Sequence, residues 1–154
     1  MLRKENGVTF ILLVVTMFVL VILGTAAAAA GISTYKESKV KLYLKEMDAI
    51  KEKVSLYAEK AQVNSEMDLA NLGTPAEDTE ASRYIVEKII QAPEEDYDNY
   101  RYLVANKVAS DLGLENAQKD IVIDIVNKKV YSIIPVQYNN EVFYSADDLR
   151  ESLK

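Results

Sequence analysis

With 154 residues, about half of them apolar, the chain has length for one compact domain beside an opening segment and is short for two. Its formal charge of -6 comes with lysines that are only scattered, so no nucleic-acid partner is expected. The absence of cysteine and histidine excludes thiol nucleophiles, disulfides, imidazole bases and nearly every common zinc arrangement; no metal or other cofactor is expected.

The chain opens on a short charged head ending at Gly7 and continues with 25 residues, Val8 to Ile32, that carry no charge. As a helix this run reaches roughly 37 Å, enough to cross a hydrocarbon core of about 30 Å with some tilt. Phe10 to Leu23 are bulky, whereas Gly24 to Gly31 are small, so one end suits lipid and the other suits close helix contact. Two fates fit these residues. A secretory signal would use Arg3 and Lys4 as its basic head, Val8 to Leu23 as its apolar stretch and Ala26 to Ala30 as its cleavage region, releasing an exported α+β binding domain. The same domain left uncleaved would be a plain single-span anchored protein. Alternatively, a cut before the run at Gly7 would leave it in the mature chain.

The stretch Lys4-Glu5-Asn6-Gly7-Val8-Thr9-Phe10-Ile11 resembles the prepilin cleavage site of the type IV pilin and pseudopilin family. A charged leader ends in glycine, and a hydrophobe, a threonine, a hydrophobe and a long uncharged helix follow. The resemblance implies cleavage between Gly7 and Val8 by a prepilin peptidase on the cytoplasmic side, with Val8 the candidate for N-methylation. It implies a leader over residues 1–7, a transmembrane and filament-core helix over 8–32, and an extracytoplasmic domain over 33–154. The implied partners are other pilin or pseudopilin subunits, the peptidase, a membrane assembly platform and the lipid bilayer. Gly24, Ala26, Ala28, Ala30 and Gly31 would let neighbouring helices approach closely. At the fifth mature position, where the family usually has glutamate, this chain has Leu12, a departure shared by certain minor tip pseudopilins and by many pilin-like proteins of Gram-positive bacteria. It implies a minor or atypical subunit. The positive-inside count runs against this orientation: Arg3 and Lys4 precede the run, while Lys36, Lys39, Lys41 and Lys45 follow it. The cleavage motif is the more specific signal, and the lysines read as a solvated helix face.

Beyond the run no proline or glycine interrupts residues 32–72, so the helix is expected to continue. Val40, Tyr43, Met47, Ile50, Val54, Tyr57 and Ala61 recur at spacings of three and four and form one apolar stripe, a core face. Residues 64–82, polar and holding Gly73 and Pro75, read as a loop or short helical turns that end the spine, a flexible connector. Arg83 to Gln91 has helical spacing, and a further helix is expected from Pro93 to Leu112, burying Tyr97, Tyr100, Leu103, Val104 and Val108 and capped by Gly113. The acidic group at residues 94–98 fails as a calcium loop: counted from Asp96, the sixth position is Arg101 and the twelfth is Lys107, where glycine and glutamate are required. It complements a helix dipole instead.

From Asp120 the period changes, and strands are expected at about 121–126, 129–135 and 141–145, turning near Asn127-Lys128 and Asn139-Asn140 as an antiparallel meander. Ser145 with Asp148 reads as a capping box opening a final helix, Ala146 to Leu153. The fold class expected is α+β, pilin-like: a long N-terminal helix, half transmembrane and half amphipathic, packed against a small C-terminal antiparallel sheet. No phosphate loop or nucleophile motif appears, and the neighbours Asp147 and Asp148 cannot face one another on a helix. The expectation is a structural subunit and not an enzyme.

Overall fold

The computed structural model describes the backbone of residues 2–154 and the side chains of residues 12–22, 31 and 33–154. Helix α1 covers Leu2–Val63, 62 residues, as the lack of any proline and the abundance of Leu, Ala, Lys and Glu dictate. The chain divides into two units, Met1–Lys39 and Val40–Lys154. The first is the earlier part of α1. The second holds the rest of α1 and every other element.

In the second unit, α1 buries Val40, Tyr43, Met47, Ile50, Val54 and Ala58. The stripe expected from spacing is present up to Val54. Beyond it the buried residue is Ala58, with Tyr57 and Ala61 half-buried, because a helix of 3.6 residues per turn drifts off a strict seven-residue repeat. Against this face lies a four-stranded antiparallel sheet in the order β1-β2-β3-β4: β1 Thr74–Pro75, β2 Tyr100–Leu103, β3 Ile121–Asp124 and β4 Lys129–Ser132. The register pairs Leu103 with Ile121 and Ile123 with Val130, and these four pack in the same core as the α1 stripe. The alternate residues Tyr100, Val122 and Tyr131 form a second core on the other face, closed by Ala76, Ile85 and Val86. Ile85 and Val86 come from a π-helical turn, Ile85–Ile90, that follows the short helix α2, Glu80–Tyr84. The sheet is thus covered on both sides, and all four β3 residues are buried.

Several expectations are corrected. Residues 93–112 are not one helix. Glu94–Asn99 makes a 3₁₀ turn, Tyr100–Leu103 is the central strand β2, and only Ala105–Leu112 is helical, as α3. Pairing of β2 with β3 along its whole length outweighs the weak local helix preference of Tyr-Arg-Tyr-Leu. Val104, expected to be buried, stands 41% exposed as the residue before α3. Gly113 closes α3 with φ of 70°, as expected. In 64–82 the short helical turns expected are present as two 3₁₀ turns, Leu69–Asn71 and Ala76–Asp78, while β1 and the start of α2 at Glu80 are additions. Nor is the C-terminal region one meander. β4 ends at Ser132, whose hydroxyl donates to the Ile134 carbonyl, and Pro135 cannot donate to a ladder, so Val136–Tyr138 (β5) pairs with Glu141–Phe143 (β6) as a separate ribbon. Its turn residues Asn139 and Asn140 both have positive φ, 49° and 66°, matching a two-residue hairpin turn.

Helix α4, Ala146–Ser152, starts where Ser145 accepts from the Asp148 amide at 3.2 Å; the Asp148 carboxylate accepts the Ser145 hydroxyl at 2.7 Å. Leu149 is fully buried, and α4 is tied to α1 by Lys51 with Asp147 at 2.8 Å and by Arg150 with Asp48.

Candidate functional site

The residues singled out from the sequence lie in the first unit. Gly7, Val8, Gly24, Ala26, Ala28 and Ala30 fall within the backbone of α1, and their side chains are outside those described. Of the small-residue group, Gly31 is described, and a Cβ built on it meets nothing within 4 Å among the described residues. Between them, residues 12–22 form an apolar surface without a polar side. Leu12, Met17, Phe18, Leu20 and Ile22 are each more than 60% exposed, and only Val14 is half-buried. Such a stretch lacks the polar face that a helix packed on a core presents to water. Thr16, the one hydroxyl in this stretch, donates to the Leu13 carbonyl at 2.8 Å and so satisfies its own hydrogen-bonding need within the helix. Among the described residues no helix is long and apolar enough to cross a membrane; the expected span, residues 8–32, includes side chains outside that description.

An open groove of about 450 Å³ lies between Gly73, Thr74, Thr79, Tyr102, Lys107 and Asp111. Its one phenol is committed: Tyr102 donates to Asp120 at 2.8 Å, and burial, then that hydrogen bond and the carboxylate's charge, push its pKa up to about 12. The other Asp120 oxygen accepts from the Ala105 amide at 2.8 Å, capping α3 in place of Val104, which has no side chain able to do so. Sequence reading missed this double role, for which an aspartate just before a strand, 15 residues after the start of the helix it caps, gives no local signal. Asp124 is buried and accepts from the amides of Val126 and Asn127 and from the Asn127 side chain, so it organises the β3–β4 turn. Among the described residues no acidic group is arranged to hold a metal ion. Asp120 and Asp124 thus build a cap and a turn.

Compared with protein-family models, curated proteins and solved structures, the chain matches none.

Proposed function

We propose that this chain is a structural subunit, minor or atypical, of a type IV pilus-like or type II secretion-like filament. The observation that carries the reading is Gly7-Val8-Thr9-Phe10 at the head of an uncharged run whose described part, residues 12–22, is apolar and exposed on every side of a helix. In this reading a prepilin peptidase cuts between Gly7 and Val8. Residues 8–32 then hold the chain in the membrane with residues 33–154 outside, until the run passes from lipid into a helical bundle. Gly24, Ala26, Ala28, Ala30 and Gly31 are the contact positions there, because small side chains let helices approach closely enough for dispersion to replace lipid contacts. The α+β architecture with a long N-terminal helix is compatible with a pilin-like subunit. Assembly, and not turnover, is its work.

The test is fractionation of the producing cells. The proposal expects the chain in the membrane and in filaments sheared from the surface, and expects Gly7→Glu to leave it uncut and confined to the membrane. Release of the second unit into the medium, with the alanine run removed, would instead establish an exported binding domain.

A further inference from the structure

Charge in this chain is segregated. Residues 36–45 contain four lysines and one glutamate, whereas residues 46–154 contain 12 basic and 22 acidic residues. The one strongly basic segment therefore follows directly on the apolar run. Lys36, Lys39, Lys41 and Lys45 are all exposed, and none has a carboxylate partner among the described residues, although Lys51, Lys119, Lys129 and Arg150 each have one. Tyr35 is 60% exposed, with the Lys39 ammonium 4.7 Å from its ring centroid. An exposed tyrosine beside lysines, at the end of an apolar helix, is the composition of a membrane–water interface.

We propose that Tyr35, Lys36 and Lys39 form a collar that binds the headgroup phosphates of acidic phospholipids on the membrane face where the apolar run ends. The proposal rests on the reading that residues 8–32 cross the bilayer. At 1.5 Å per residue along the helix, Lys36 lies roughly 6 Å and Lys39 roughly 10 Å beyond Ile32. The headgroup layer occupies roughly 5–8 Å on each side of the hydrocarbon. Lys36 and Lys39 reach phosphates directly, their stems lying along the helix as the ammonium seeks the polar layer. The attraction is screened over about 8 Å at physiological ionic strength, so Lys36 contributes more than Lys39. The position of the lysines argues for lipid over an acidic protein partner, since the bilayer surface must lie in the first turns after the apolar run.

The full chain is reconstituted into vesicles of mixed phosphatidylglycerol and phosphatidylcholine carrying traces of spin-labelled forms of each. The motionally restricted lipid signal then reports which lipid surrounds the protein. The collar predicts preference for phosphatidylglycerol, lost to parity when Lys36 and Lys39 are both replaced by glutamine and lost likewise at high salt. Replacement of Lys107 and Lys154 by glutamine, an equal change in charge, should leave the preference in place. Parity in the unaltered protein, or a preference that survives loss of the two collar lysines, overturns the proposal. Resistance to carbonate extraction is read in parallel. A chain that resists extraction without lipid preference overturns the collar alone, whereas a chain that is extracted overturns the membrane reading with it. Lipid parity combined with failure of the glutamine variant to enter filaments would assign the lysines to a neighbouring subunit.

Discussion

Ile50→Ala separates the core face of α1 from its outer face. Ile50 is 2% exposed in the core that α1 shares with Leu103, Ile121 and Ile123, while Leu42, two turns earlier on the same helix, is 58% exposed. Truncating a buried isoleucine to alanine costs about 2–5 kcal/mol, from lost transfer energy and the cavity left behind. Unfolding of the Val40–Lys154 unit, about 115 residues, carries an entropy of about 0.24 kcal/mol/K at about 2.1 cal/mol/K per residue. A loss of about 3 kcal/mol therefore lowers its melting temperature by about 12 °C. Leu42→Ala, a surface change worth no more than about 0.5 kcal/mol, moves it by about 2 °C. The assay is thermal unfolding followed by the near-ultraviolet tyrosine signal, which reports packing of the second unit instead of helix content along α1. Equal shifts in the two variants, or a shift of a few degrees in Ile50→Ala, would refute the packing of α1 against the sheet.

Gly73→Ala should destabilise strongly, because Gly73 has φ of 58° and an added Cβ would lie 2.1 Å from the Tyr102 carbonyl; Gly113→Ala, at φ of 70° with open space around it, should cost only about 1–2 kcal/mol in denaturant titration. Ser145→Ala, which removes the cap of α4, should lower stability by about 0.5–2 kcal/mol by the same measurement. Asp120→Ala leaves both the Ala105 amide and the Tyr102 hydroxyl without their acceptor and should cost about 1–3 kcal/mol for each group not rescued by water. The raised Tyr102 pKa has a definite sign. The folded chain holds that proton more tightly than the unfolded chain, so its contribution is whole below pH 10.0 and is lost as pH rises from there to about 12. Stability measured across that window should fall less steeply in Tyr102→Phe than in the unaltered protein; identical slopes would contradict the assignment.

The parts of this fold that were legible in the sequence are those whose periodicity is long or whose turn chemistry is local. The α1 stripe from Val40 to Val54, the Gly113 cap, the Asn139-Asn140 turn and Ser145 at the start of α4 each follow from residues within one or two turns of one another. Strand β2 was not legible. Tyr100–Leu103 is four residues long, follows an acidic turn that suits a helix start, and is held as a strand by β3, which lies about 20 residues later. Two-sided burial of the sheet was hidden for a similar reason. Its second cover is a π-helical turn whose Ile85 and Val86 are adjacent in sequence and fit no single helical stripe. At the candidate site the sequence supplies most of the information, since Gly7 and Val8 are recognised by order along the chain. What the structure adds is that residues 12–22 are exposed apolar surface on all sides and that Leu12, 62% exposed, presents a hydrocarbon face where the family usually presents a carboxylate. In the proposed filament subunit, a leucine there would remove the cost of carrying a charge through lipid and also an ion pair setting register between subunits. Leu12→Glu should consequently alter incorporation into filaments, whereas in a discarded signal it should only reduce export, a difference read by comparing filament and secreted fractions.

The central claim is that the uncharged run is kept and that the chain is cut in front of it. Mass spectrometry of the mature amino terminus tests this most directly. The account predicts a terminus at Val8, with or without a methyl group. A terminus between Ala27 and Gly31, or an intact Met1, would contradict it.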